Sequence, residues 1–322
     1  MNYFLYKLAF DTAVHFGPTD SALSLYSTED HFLADTLFSA LCHAAVSLYG
    51  PTGAELLHEQ AGSGQLCLSD GMPWKGDDLY LPKPFFYAEN RQEVDPKLRK
   101  AMKKLAWIPI SAFGAFAESV QGGEPFDAGA HKVQFGAAEE MTKAAVQPGK
   151  DTLPYQVGVY RFEADCGLWF LAGCETEEQM FRLRKLTEAL GFSGIGGKTS
   201  AGYGKFHVQS CQKVDGDDHQ LKWLKSALEK NTSKTQLLLT TSLPAENELE
   251  GILDGASYQL TRRSGFVRSS IGGAGRKKKT QYFLSAGSVL PKRFKGCLYD
   301  VGEGETHPVM RFSSPVLLGV EL

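Results

Sequence analysis

Residues 191–206 read GFSGIGGKTSAGYGKF. Six glycines fall within fourteen residues, and Lys198, Thr199, Ser200 and Lys205 sit among them. Glycine reaches positive φ without steric cost and lets a backbone approach a partner closely. A concave run of N–H groups with a lysine and two hydroxyls beside it is a candidate phosphate cradle. Its residues are Gly194, Gly196, Gly197, Lys198, Thr199, Ser200, Gly202 and Gly204. A plain turn needs fewer glycines, since each extra one adds backbone entropy that folding must remove. The segment is not a Walker A loop, because Phe192 stands where the first glycine is required. A Walker loop and a Rossmann fingerprint also run from strand into helix, whereas this segment runs from helix into strand.

Working outward, residues 177–190 carry helical periodicity behind a Thr176 N-cap, with acids in the first turn, and residues 205–209 read as a strand. Upstream, 155–163 and 168–173 read as two strands of a hairpin joined by the turn 164–167. At the start, 2–10 is a strand, 11–30 a polar loop and 65–69 a short strand. Between them, 35–49 is a helix whose apolar face recurs at i, i+3, i+4 and which stops at Gly50-Pro51. This order matches a ferredoxin-like βαββαβ sheet. Residues 73–150 are expected to be an insertion with little regular core, containing a basic helical face at 97–104. Trp107, Phe113 and Phe116 follow it as core or as a wedge between bases. After a linker at 215–218, a helix at 221–230 and strands near 236–241, 281–285, 296–301 and 309–312 suggest a second, degenerate sheet domain. The fold expected is α+β, with an N-terminal domain 1–212 and a C-terminal domain 213–322.

The chain has 322 residues and a formal charge of −3, which alone gives no hint of a polyanionic partner. The charge is unevenly spread. Residues 255–299 hold ten Lys or Arg and no Asp or Glu, leaving 24 basic against 37 acidic residues in the remainder. Ordinary surfaces mix signs, so this stretch reads as a binding footprint for nucleic acid. Arg262, Arg263, Arg268, Lys277 and Lys278 are its candidate contacts. Tyr258, Phe266, Tyr282, Phe283 and Phe294 are interleaved with the charges, and stacking plus charge suits single-stranded RNA. No long amphipathic helix accompanies the charges, which argues against a lipid surface. The N-terminal MNYFLYKLAF lacks a signal-peptide pattern and no apolar run is long enough to span a membrane. The six cysteines lack zinc-finger spacing and read as reduced thiols of a cytoplasmic protein, with no metal or cofactor expected. His15 is open to three roles: acid or base in RNA cleavage, phosphate contact, or structural residue. Asp30 and Asp35 flank the first helix and suit capping.

Several segments together carry a resemblance: HFG at 15–17, DTLFSAL at 35–41, LSDGMP at 68–73, LPKPFF at 81–86, GGKTSAGYGKF at 196–206, RRSGFV at 262–267 and KKKTQYFLSAGSV at 277–289. The series resembles the RAMP superfamily and, within it, the fourth subunit of the Csm complex, the type III-A CRISPR effector. The resemblance implies two RRM-like domains and binding of the crRNA 5′ handle. It implies contacts with a polymerase-like large subunit and a backbone RAMP subunit, and no catalysis by the chain itself. Carried onto this sequence, it makes His15, the loop 194–204 with Lys198, and Arg262, Arg263 and Arg268 the handle contacts. Region 88–150 becomes a thumb propped against RNA. The alternatives are a metal-independent RAMP endoribonuclease using His15 and Lys198, the equivalent Cmr subunit, and a scaffold that touches no RNA.

Overall fold

The computed structural model describes residues 1–17, 24–86, 96–145, 149, 151–267, 275–303 and 308–322. The chain opens with β1 (Asn2–Phe10), α1 (Ala34–Tyr49) and α2 (Pro51–Gly62). Next come β2 (Leu66–Leu68), β3 (Met72–Lys75), β4 (Asp78–Pro82), α3 (Pro96–Lys104), β5 (Trp107–Pro109) and α4 (Phe113–Val120). A long hairpin of β6 (Gly136–Ala145) and β7 (Leu153–Phe162) precedes β8 (Cys166–Cys174), α5 (Glu177–Ser193) and β9 (Phe206–Lys213). The C-terminal part holds α6 (His219–Glu229), β10 (Gln236–Leu238), β11 (Leu260–Arg263), β12 (Gln281–Leu284), β13 (Val289–Leu290), β14 (Cys297–Asp300), β15 (Met310–Ser313) and β16 (Leu317–Gly319).

The main sheet runs β5-β4-β3-β8-β1-β9, with β2 also on β8, and its pairs are antiparallel. Taking β1, β2 with β3, β8 and β9 as the four strands, and α1 and α5 as the two helices, this is the ferredoxin-like arrangement. Alternation along β1 and β8 sends side chains to two faces. Phe4, Tyr6, Leu168 and Phe170 meet Leu37 and Leu41 of α1 and Leu186 and Leu190 of α5. Leu5, Trp169 and Leu171 meet Leu221 and Leu224 of α6 and Leu318 of β16. Every residue of β8 is therefore buried. The Trp169 indole N–H, sealed inside, donates to the Pro73 and Tyr80 carbonyls at 3.1 Å each.

Two expectations change and a third is extended. The strands 155–163 and 168–173 are not a hairpin: β7 pairs with β6, and β8 pairs with β1, β2 and β3. Residues 73–150 are not a coreless insertion. β3, β4 and β5 extend the main sheet, and Ile108, Ile110, Phe113, Phe116 and Phe126 are buried in the same core as Trp169. Gly50-Pro51 ends α1, but Pro51 also opens α2, as suits a residue with no N–H to lose at a helix start. The expectation for α5 holds in detail: Thr176 and Gln179 form a reciprocal capping box.

The C-terminal part is a degenerate sheet region built from β13-β10-β16 and the pairs β11-β12 and β14-β15. The boundary placed after residue 212 falls one residue before β9 ends. Asp218 of the acidic linker caps α6 by accepting from the Gln220 and Leu221 amides. Asp70 of the LSDGMP segment joins the two parts. Its carboxylate accepts from the Ala34 amide at 2.7 Å, the Thr241 amide at 2.9 Å and the Thr241 hydroxyl at 2.6 Å. Gly71 follows because a Cβ there would sit 2.9 Å from the Phe32 ring.

Burial pushes the Asp70 carboxyl up to about 6, against the opposing pull of Thr241 and Ala34. A carboxyl raised in the folded state holds its proton more tightly there than in the unfolded chain. Stability from this group is therefore fully present below about pH 4 and lost as pH rises through about 6, a difference on the order of 3 kcal/mol. Relative to Asp70→Asn, the unaltered chain should gain urea resistance between pH 7 and pH 5. Parallel pH profiles for the two proteins would show that Asp70 does not titrate in that window.

Candidate nucleic-acid interface

The glycine-rich turn leaves α5 at Gly194 and enters β9 at Phe206. Gly194, Gly196, Gly202 and Gly204 have φ of 87°, 97°, 88° and 77°, and Lys198 is left-handed at 58°. Much of this geometry serves packing. Gly197 N–H donates to the His15 carbonyl at 2.8 Å and Gly204 N–H to the Ala13 carbonyl at 2.9 Å. Ile195 N–H donates to Gly204, and the Ala201 and Gly202 amides close a tight turn back onto Lys198 and Thr199. A Cβ on Gly196 would lie 2.7 Å from the His15 carbonyl oxygen. Among the described residues, the amides of Gly196, Lys198, Thr199 and Ser200 take no part in these bonds. Left-handed Lys198 followed by a right-handed turn aims neighbouring N–H groups to one side, the geometry of an anion nest.

This turn borders a groove in two adjoining compartments. The larger, about 1030 Å³, is lined by His15, Gly196, Gly197, Arg262 and Arg263 together with Lys83, Phe85, Lys103 and Trp107. The smaller, about 520 Å³, is lined by Gly194, Gly196, Thr199, Arg263, Lys278 and Arg311. Thr36, Gly196 and Arg263 belong to both. The glycine turn and the basic strand therefore meet in one groove although more than fifty residues separate them in sequence.

The basic residues divide by role. Arg263 is only 8% exposed. Its guanidinium grips Asp35 with two hydrogen bonds, Nε to Oδ2 at 2.9 Å, so its charge is committed to the first turn of α1. Arg311 lies 3.8 Å from the same carboxylate and donates to the Arg263 and Ser264 carbonyls. Asp35 thus pairs across the molecule rather than capping its own helix, whose first amide is taken by Asp70. Arg262 lines the larger compartment, and Tyr282, opposite it in register and 55% exposed, offers a ring on the same face. Lys278 lines the smaller one; burial and then Arg311 lower its pKa. Lys277 is exposed beside it. Arg268 lies outside the described residues. Of the interleaved aromatics, Phe266 and Tyr282 are exposed, whereas Phe283 and Phe294 are buried in the core.

His15 is buried, with Nδ1 2.6 Å from the Gly158 carbonyl. Lys198 Nζ lies 5.0 Å from the Tyr155 ring centroid, while Lys143 Nζ sits 4.9 Å from that of Tyr203. These two contacts pin the hairpin β6–β7 to the glycine turn. The strands β6 and β7 thus straddle the end of the expected thumb region 88–150. Ser200 and Lys205 are exposed on the turn.

Sequence reasoning offered Lys103, on the basic helical face, and Trp107, as core or as a wedge between bases, but did not mark Lys83, Phe85 or His31 as RNA contacts. Lys83 and Phe85 belong to LPKPFF, whose Phe85 amide donates to the Gly287 carbonyl of SAGSV at 2.8 Å, so two family segments form one groove wall. Asp30 accepts from His31 at 2.7 Å and from the Trp107 indole at 3.2 Å. Burial works against charging His31, but the hydrogen bond and charge of Asp30 outweigh it and hold the imidazole above its ordinary pKa. Among the described residues no group of three or more His, Cys, Asp or Glu is placed to hold a metal ion, and no helix is long and apolar enough to cross a membrane.

A ferredoxin-like sheet with a glycine-rich turn walling a basic groove defines an RRM-like protein of the RAMP type. Residues 231–320 match the family described as CRISPR Csm4 C-terminal domain. Two Mycobacterium tuberculosis proteins described as "CRISPR system Cms protein Csm4" are 35% identical over 325 residues, covering 99% of this chain and 98% of theirs. A protein of the same description from Streptococcus thermophilus is 32% identical over 330 residues, covering 100% of both. The chain belongs to the Csm4 family. Its fold is shared with a chain of the crystal structure of a Csm3-Csm4 subcomplex of the type III-A CRISPR-Cas interference complex (TM-score 0.64, 17% identity, 99% of both chains). A chain of a Csm1-Csm4 cassette in complex with cA4 is similar too (TM-score 0.59, 19% identity, 100% of this chain and 99% of that one).

Proposed function

We propose that the chain grips the 5′ handle of crRNA in this groove and joins the polymerase-like large subunit to the backbone RAMP filament of a type III-A Csm complex, in the cytoplasm and without catalysis of its own. The observation that carries the reading is the convergence of Gly194, Gly196 and Gly197 with Arg262, Arg263 and Lys278 on one groove. A Csm1 partner for the large subunit and a Csm3 partner for the filament follow from the subcomplexes in which chains of this fold occur. The endoribonuclease alternative needs Lys198 beside His15 to steady developing charge. The Lys198 ammonium is engaged over the Tyr155 ring, which favours the binding role.

Titrating the full chain with handle RNA should give affinity that falls steeply with salt. Arg262→Ala combined with Lys278→Ala should lower affinity about tenfold and flatten the log–log salt slope by about 0.7 for each phosphate no longer neutralised. An unchanged slope and affinity would count against the groove. Precursor RNA incubated with the chain in EDTA should remain intact; specific cleavage abolished by His15→Ala would overturn the non-catalytic role.

A further inference from the structure

We propose that His15 reads the ribose 2′-hydroxyl of one nucleotide in the groove, using Nε2 as the acceptor. The inference rests on the reading that RNA occupies this groove. The imidazole is held through its backbone and through one ring nitrogen. Val14 exchanges both backbone hydrogen bonds with Tyr160 at 2.8 Å, and the His15 carbonyl takes the Gly197 amide. Nδ1 lies 2.6 Å from the Gly158 carbonyl oxygen. A carbonyl can only accept, so Nδ1 carries the proton, and in the neutral ring Nε2 is left with a lone pair. Nε2 makes no hydrogen bond among the described residues.

Two glycines flank this atom. A Cβ on Gly17 would lie 3.2 Å from Nε2; one on Gly197 would lie 2.5 Å from Cδ2 and 3.4 Å from Nε2. A side chain at either position would cover the nitrogen. His15, Gly17 and Gly197 all line the larger compartment that also holds Arg262. His15 is only 6% exposed, which suits a small projecting group better than a planar base edge. Phosphate oxygens cannot donate to a lone pair. A 2′-hydroxyl can, and it is the group by which a protein separates RNA from DNA. A buried acceptor also rejects an analogue lacking the donor, because the acceptor is then left desolvated and unpaired.

The test is a titration of the full chain with handle RNAs that each carry one 2′-deoxy or one 2′-fluoro nucleotide. One position should lose about fivefold to tenfold in affinity, and 2′-fluoro should lose as much as 2′-deoxy, since fluorine donates no hydrogen bond. His15→Ala and Gly197→Ala should bind the ribose and deoxyribose forms at that position equally. The scan of the unaltered chain needs no variant to fold. If no single position changes affinity more than twofold, the inference is wrong. A His15→Ala loss that grows weaker with salt and ignores the sugar would place phosphate at Nε2 and overturn it too. Failure of the unmodified handle RNA to bind at all would instead remove the underlying groove reading.

Discussion

Asp35→Ala should destabilise the chain by about 3–5 kcal/mol, the cost of breaking a buried ion pair by removing one partner. The Asp35 and Arg263 side chains are each 9% exposed and Arg311 is 4% exposed. Alanine at position 35 would leave both guanidiniums buried without a carboxylate. Arg311 keeps its bonds to the Arg263 and Ser264 carbonyls, whereas among the described residues Arg263 keeps only the Thr36 hydroxyl as a side-chain partner. Removing both charges by Asp35→Leu with Arg263→Met should cost less than Asp35→Ala, because apolar groups of similar size replace a desolvated pair. Urea unfolding measures both. Handle affinity should fall alongside stability, since this pair ties α1 to β11 at the junction of the two groove compartments. A loss below about 1 kcal/mol would mean the pair behaves as a solvated surface bridge.

Gly204→Ala and Gly202→Ala should differ sharply although both residues are left-handed, at φ 77° and 88°. The backbone alone costs an alanine about 1–2 kcal/mol at either position. At Gly202 nothing lies within 4 Å of the added Cβ, so that cost is the whole effect. At Gly204 the Cβ would fall 2.1 Å from the Ile195 carbonyl oxygen, a backbone atom of the same turn. The turn must then move, and a total of about 4 kcal/mol is expected, in the range reserved for overpacking and special backbone conformations. Equal urea midpoints for the two variants would show that the turn yields without cost.

What the sequence makes legible here is local. Thr176 ahead of an acidic first turn announces α5, the apolar face from Leu37 to Leu48 announces α1, and the glycine density of 191–204 marks a turn of unusual backbone geometry. Partners far apart in the chain are not legible. β8 reads as one arm of a hairpin because a glycine turn precedes it, yet its neighbour β1 lies some 160 residues away. β6, with GAAEEMTKAA, carries few β-branched or aromatic residues, so nothing local marks it as a strand; its pairing with β7 supplies the order. The basic stretch 255–299 announces a polyanion site, but charge alone cannot tell Arg262 from Arg263. Only the fold shows that Asp35, 228 residues away, has already claimed the second. The wall residues Lys83 and Phe85 had a signal in LPKPFF, which lacked a partner until the fold packed SAGSV against it.

The two-sided burial of β8 bears on how the chain comes off the ribosome. Leu5, Trp169 and Leu171 line a sheet face that α6 and β16 cover, and β16 spans Leu317–Gly319. Until β16 follows, that oily face is only partly covered, by Phe113, Phe116 and α6. A nascent chain in this condition is open to association with its neighbours, so translation pauses ahead of β16, rather than the strength of the finished fold, should set how much usable protein a cell recovers.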